Sequence, residues 1–278
     1  MPTPRRTGLA PLLALTCLLL FLLSTAQAQQ AQAPADPFPG RALFSTVTVM
    51  SLDDLAQKRA DVHVVDVRSK YEYDTLHIAD AVHIDLHDAE FVDKVKALQA
   101  QKDAPVVFYC NGKTCYKSYQ ACDKALSAGL MNVYAYDAGI FDWAKAHPEA
   151  SVLLGKSPVD PTRLIDEASF KEHLLAPEKF GERVHAGGVV VLDVSDPLQR
   201  AATALFPGEQ RSIALDDTAD LDTLMAEVIK SGKPLLVYDE AGKQIQWFQY
   251  YLEDRGVKSY YFMKGGSKAF FKEVLMGG

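Results

Sequence analysis

Three cysteines, Cys110, Cys115 and Cys122, fall within thirteen residues of each other, and the 278-residue chain has only one more, Cys17. The thiolate is the nucleophilic form of cysteine, and backbone N–H groups and the positive end of a helix favour it. Cys110 is placed to receive both. It ends the apolar run PVVFY (105–109), is followed by Asn111, Gly112, Lys113 and Thr114, and precedes a helix expected from about Cys115 to Ala128. Gly112 is expected to give the loop a positive φ, while Lys113 and Lys117 add positive charge. Such a loop attracts an anion and supplies a nucleophile. A strand-end cysteine can also be a small buried hydrophobe. That reading holds for Cys122, which shares a helical stripe with Tyr119 and Leu126. Cys115 keeps two readings: a core-facing residue of the same stripe, or a second thiol that resolves a species formed on Cys110 or forms a disulfide with it.

The surrounding pattern says what positions these residues. Short β-branched runs alternate with amphipathic stretches: VTVM, a helix opened by Ser51 and Asp54, then VHVVDV, VHIDL (82–86), a helix around Asp88 to Leu98, VVFY, and NVYAYD (132–137). This is the rhythm of an α/β domain, and the nearly all-apolar strands imply a parallel sheet covered on both faces. Ligands bind at the carboxyl ends of such strands, where Cys110 lies. The pattern then repeats. VHVVDVR at 62–68 matches VVVLDVS at 189–195, and SAGLMNVYAYDAGIFDWAK at 127–145 matches DRGVKSYYFMKGGSKAFFK at 254–272, both 127 residues on. APVVFYC at 104–110 matches KPLLVYD at 233–239, 129 residues on, so the second copy is two residues shorter just after that strand. Two copies of one globular domain are expected, at 41–150 and 162–278, joined by a linker at 151–161 marked by Gly155, Pro158 and Pro161.

At the amino end, Arg5 and Arg6 precede an apolar run from Leu9 to Leu23, and Ala26 and Ala28 follow. This reads as a secretory signal peptide (1–28) cleaved after Ala28, since the run is shorter than the roughly 20 residues that span a bilayer. Residues 29–40, rich in Gln, Ala and Pro, read as a disordered leader. The product is expected to be periplasmic or secreted, with no membrane association after cleavage. The formal charge of −7 and the lack of a Lys/Arg cluster argue against nucleic acid or an anionic membrane as partner.

Taken as an ordered set, Asp66-Val67-Arg68, Glu72, LHIADAVHIDL, FYCNGKTC and DAGIFDWAKAHP resemble the rhodanese (thiosulfate sulfurtransferase) pattern over residues 45–148. The resemblance implies two tandem rhodanese-like α/β domains, each a mainly parallel sheet flanked by helices. It implies that Cys110 takes a sulfane sulfur as a persulfide from a small anionic donor such as thiosulfate, and passes it to a thiophilic acceptor, cyanide or a thiol. A protein thiol is a possible acceptor. The loop Asn111, Gly112, Lys113, Thr114 and Cys115 would hold donor and sulfur through its N–H groups. Arg68 and Glu72 stand where the family places an ion pair, and Asp66 supports the strand end. Neither metal nor organic cofactor is implied; His63, His77, His83 and His87 have no ligand spacing. Many loops of the family carry arginines where this one has Asn111 and Tyr116, and Tyr116 also argues against phosphatase chemistry, which uses an arginine there.

The second copy has Asp239 in place of Cys110 and Ser195 in place of Arg68, so it is expected to carry no persulfide. Its two leading acids, Asp239 and Glu240, are expected to repel thiosulfate, and Trp247 to serve its own packing. Two rivals remain: a thiol-disulfide redox protein using Cys110 and Cys115, whose four-residue spacing departs from Cys-x-x-Cys, and a non-catalytic binding module.

Overall fold

Strand β1 (His63–Asp66) lies between β3 (Val82–His83) and β4 (Val106–Tyr109), and β4 pairs on its other side with β5 (Val133–Tyr136). All pairings are parallel, with Val65 opposite Phe108 and Phe108 opposite Ala135. In the computed structural model, which describes Met1, 36–196 and 204–277, β4 is buried over its whole length. The expected signal peptide and most of the leader fall outside the described residues.

The side-chain alternation of a strand explains this burial. Val65, Phe108 and Ala135 face Phe91, Val95 and Leu98 of a helix over Phe91–Gln101, and Tyr119, Ala121 and Cys122 of a helix over Lys117–Ser127. Val64, Val107 and Tyr136 face Leu55, Ile140 and Trp143. Numbered in chain order, the helices of this half are α1 (Gly40–Leu43), α2 (Leu52–Lys58), α3 (Lys70–Thr75), α4 (Phe91–Gln101), α5 (Lys117–Ser127) and α6 (Gly139–Ala146). Ser51 caps α2 by accepting the Asp54 N–H at 3.1 Å, the start signal read in the sequence. The VTVM run is shorter than expected as a strand: Thr48 and Met50 only bracket Ala135 through two backbone hydrogen bonds. The end of the presumed leader is ordered against the fold, with Gly40 so close to Tyr119 that a Cβ there would lie 2.4 Å from its ring. The presumed linker contributes a strand: β6 (Ser151–Leu153) pairs antiparallel with β2 (Leu76–Ile78).

The second sheet follows the order β7 (Leu174–Leu175), β11 (Tyr260–Met263), β10 (Leu235–Tyr238), β8 (Val190–Asp193), β9 (Gln210–Ser212), again wholly parallel. Its helices are α7 (Glu167–Glu172), α8 (Pro177–Ala186), α9 (Thr218–Ser231), α10 (Ile245–Asp254) and α11 (Gly266–Phe270). Leu192 stands opposite Val237 as Val65 stands opposite Phe108, the same register displaced by the repeat.

Where the halves meet, the structure corrects one expectation. Trp247 and Tyr250 of α10 join the core of the first half instead of packing only their own. Trp247 stacks on Phe141 with ring centroids 5.1 Å apart, and the Tyr250 hydroxyl accepts the Ile165 N–H at 3.0 Å. In the other direction, Tyr71 of α3 packs on the second core.

Candidate active site

Cys110 follows the last residue of β4 and is fully buried. Its carbonyl accepts the N–H of Ile140, the second residue of α6, at 3.0 Å, which ties the loop's first residue to the element after the next strand. The loop then turns tightly, with the Cys115 N–H donating to the Gly112 carbonyl at 2.8 Å, and enters α5 at Lys117. The Cys110 thiol donates to the Cys115 carbonyl at 3.4 Å and lies 3.7 Å from Ser118 Oγ, in the first turn of that helix. Nothing in the sequence pointed to Ser118, because only the folded turn carries it back to the cysteine.

The glycine assignment shifts by one element. Gly112 is not among the residues with positive φ, and a Cβ there would meet only the Ala138 carbonyl at an ordinary 3.5 Å. The constraint sits on Gly139 instead, with φ +75° and a backbone so close that a Cβ would lie 2.4 Å from Gly112 N and 2.5 Å from the Asn111 carbonyl carbon. Glycine at 139 is what lets the start of α6 press against the cysteine loop.

Below the loop lies a chain of charges. Arg68 is wholly buried and pairs with Asp66, Nη2 to Oδ2 at 2.6 Å and Nε to Oδ1 at 2.9 Å, while Nη2 also donates to the Leu76 carbonyl at 2.6 Å. Its partner is thus Asp66, not the expected Glu72. Burial is the largest single influence and would lower the guanidinium's pKa, but the Asp66 charge and hydrogen bond, with Tyr109 and Glu72, together raise it. The remaining nitrogen, Nη1, donates to Asn111 Oδ1 at 3.1 Å, and Asn111 Nδ2 donates to Glu72 Oε1 at 2.9 Å. Asn111 therefore joins Arg68 to Glu72. Ser69 completes a capping box with Glu72, accepting its N–H and donating its own N–H to Oε2 at 3.0 Å. Burial pushes the Glu72 carboxyl upward, but Arg68, Lys117 and the Asn111 hydrogen bond together hold it below its ordinary value. Trp247, from the second half, lies with its ring 4.9 Å from the Arg68 guanidinium.

The other loop cations are also engaged. Lys113 pairs with Asp142 at 2.9 Å and Lys117 with Glu72 at 3.7 Å; Arg41 pairs with Asp137 at 2.8 Å, which accepts the Tyr119 hydroxyl as well. Lys113 and Thr114 are exposed, whereas Asn111, Gly112 and Cys115 are partly buried.

The two loop thiols differ in environment. Burial pushes the Cys110 thiol well up. Cys115 is brought down to about 6, first by a hydrogen bond from the Cys110 thiol, then by the N–H groups of Lys117 and Asn111 and the Lys117 charge, against the cost of burial. Cys122 lies in the core, and burial raises its thiol too.

The second copy shows what became of its cradle. Asp239 does not face outward to repel anions; its carboxylate turns into the loop and accepts the N–H groups of Gly242, Lys243 at 2.9 Å and Gln244 at 2.6 Å. Gly266 presses on this loop as Gly139 does on the first, with φ +64° and a Cβ position 2.4 Å from the Asp239 carbonyl. The cradle survives, filled by the protein's own anion. Asp239→Ala is expected to lower stability by about 1–3 kcal/mol, the scale for buried donors left unsatisfied. Added sulfate should then raise the variant's thermal midpoint and leave the wild type's unchanged. A variant indifferent to sulfate would show that the cradle collapses once the carboxylate is gone.

A parallel sheet offering a cysteine at the end of its central strand, with the next loop wound around the sulfur, defines the rhodanese-like class of α/β domain. Residues 51–146 match the rhodanese-like domain family, and the chain carries a domain of that family. Among curated proteins, it is similar to the tRNA uridine(34) hydroxylase of Yersinia pestis (strain Pestoides F), 30% identical over 130 residues, 45% of this chain and 31% of the relative. The enzyme of the same name from Aster yellows witches'-broom phytoplasma is 29% identical over 129 residues, 45% and 41% respectively. The match thus spans less than half of these relatives. Among solved structures, the BH2092 protein of Bacillus halodurans aligns at 23% identity and a TM-score of 0.36, covering 48% of this chain and 94% of its own. The thiosulfate sulfurtransferase of Pseudomonas aeruginosa aligns over 85% of this chain and 68% of its own, at 13% identity and a TM-score of 0.31.

Proposed function

We propose that the protein is a sulfurtransferase that carries a sulfane sulfur as a persulfide on Cys110. The observation that carries this reading is the placement of Cys110 at the carboxyl end of β4, inside a loop pinned by Asn111 and faced by the start of α5. In the first half-reaction the Cys110 thiolate attacks the outer sulfur of a donor; the donor's S–S bond breaks and its remainder leaves with the electron pair. In the second, an acceptor thiolate or cyanide attacks the persulfide's outer sulfur and Cys110 is released. Thiosulfate is one donor that fits. Because Arg68, Lys113 and Lys117 each face a carboxylate, a donor of lower charge, such as a thiol persulfide, suits the loop better than a dianion.

The relatives' names mention tRNA, but the formal charge of −7 does not favour an RNA substrate here. Export rests on the sequence alone, with Arg5, Arg6, the apolar run and Ala28 supporting a periplasmic or secreted site of action.

The test is to incubate reduced protein with thiosulfate, glutathione persulfide and polysulfide, and to record intact mass and thiocyanate formed on adding cyanide. Removal of one sulfur atom from at least one donor is expected, either retained as added mass and given up to cyanide as thiocyanate or released as sulfide. Failure to take sulfur from any of them would overturn the reading.

A further inference from the structure

Resting on that reading, we propose that Cys115 is the first acceptor of the reaction: it attacks the Cys110 persulfide, expels hydrosulfide and leaves a Cys110–Cys115 disulfide that an external dithiol must reduce.

Three observations converge on this. The two cysteines close the same tight turn, with the Cys110 thiol aimed at the Cys115 carbonyl 3.4 Å away. The N–H groups of Asn111 and Lys117, together with the Lys117 charge, favour the thiolate of Cys115. Cys110 is fully buried whereas Cys115 is partly exposed, so an acceptor approaching from solvent meets Cys115 before it meets the persulfide. A core-packing role asks for none of these. Cys122, seven residues on, shows what that role looks like: it is wholly buried among Tyr119, Ala121 and Ala125, whereas Cys115 touches the same core but stays partly exposed.

The step balances as thiol–disulfide exchange. The Cys115 thiolate forms a bond to Cys110 Sγ, the bond between Cys110 Sγ and the sulfane sulfur breaks, and the electron pair leaves on that sulfur as HS⁻. The sulfane sulfur is reduced to sulfide while the two cysteine sulfurs are oxidised to a disulfide. Two electrons and two protons from a dithiol restore the pair and give the dithiol's own disulfide. A thiolate of depressed pKa is a suitable attacking group at neutral pH, because it is ionised without needing a base. The protein would then deliver free sulfide coupled to oxidation of its reductant, in place of a persulfide handed to a thiophile.

The experiment compares wild type with Cys115→Ser, starting from reduced protein, with one equivalent of donor and no added thiol or cyanide. Intact mass and free sulfide are recorded after rapid acid quench. Wild type is expected to release about one equivalent of sulfide and to end two hydrogens lighter, with Cys110 and Cys115 joined on peptide mapping. Cys115→Ser is expected to stay one sulfur atom heavier and to release no sulfide until a thiol is added. If wild type also rests as a stable persulfide without releasing sulfide, the inference fails and the sulfurtransferase reading stands. If neither protein takes up sulfur, the sulfurtransferase reading itself fails.

Discussion

Cys110→Ser is expected to reduce sulfur transfer by about 10³-fold or more, the scale on which removal of a covalent nucleophile leaves only the contribution of binding. The substitution suits the site sterically. Serine is slightly smaller, and its hydroxyl can still donate to the Cys115 carbonyl and stay near Ser118 Oγ, so the loop and the Ile140 hydrogen bond have no reason to move. What serine lacks is an accessible anion and the ability to hold sulfur in an S–S bond. The thermal midpoint should therefore change little while the added sulfur mass and thiocyanate production vanish. Cys122→Ser is the matched comparison: it places a hydroxyl among Tyr119, Ala121 and Ala125, and should lose stability but keep transfer. Transfer by Cys110→Ser at wild-type rate would mean that the sulfur travels on another residue.

Arg68→Leu is expected to cost about 3–5 kcal/mol of folding stability, the range for stripping one partner from a buried ion pair. Asp66 and Arg68 are both wholly buried, so the carboxylate left behind has no solvent to turn to. The variant also leaves the Leu76 carbonyl and Asn111 Oδ1 without their donor. Urea unfolding followed by circular dichroism should show the midpoint fall with little change in slope. Arg68→Leu combined with Asp66→Leu should be less damaging than the sum of the two single changes, because a pair replaced by apolar groups leaves no stranded charge. Additive losses, or a single variant as stable as wild type, would show that the pair is not what holds this end of β1. Sulfur transfer should fall as well, since Arg68 orients Asn111, the residue after Cys110.

How much of this was legible in the sequence follows from distance along the chain. The repeat offsets were. His63–Asp66 recurs as Val190–Asp193, Val106–Tyr109 as Leu235–Tyr238 and Val133–Tyr136 as Tyr260–Met263, the strands the matched runs identify. Short continuous apolar runs are local signals, and so are the cysteine, its glycine-containing loop and the helix that follows. Pairings across the chain were not. Arg68 could have met Asp66 or Glu72 by spacing alone, and only the fold places Asn111 between Arg68 and Glu72 to separate them. Gly112 drew attention because it sits in the loop, whereas Gly139 owes its role to a backbone it meets only after the chain has crossed β5. Asp239 showed that a cysteine was missing; that its carboxylate would turn inward to occupy the vacated N–H groups depends on side-chain direction, which composition does not carry.

The indole of Trp247 over the Arg68 guanidinium has a consequence for biosynthesis. A ribosome delivers the first sheet, the cysteine loop and the Asp66–Arg68 pair long before it reaches α10, and domains generally fold in the order they emerge. The nascent first half must therefore settle with that face of the guanidinium uncovered and Phe141 lacking its stacking partner. The Arg68 guanidinium, which holds Asn111 through Nη1, reaches its finished packing only when α10 of the second half lies against it, so the setting of the cysteine loop is completed late in the chain's own synthesis.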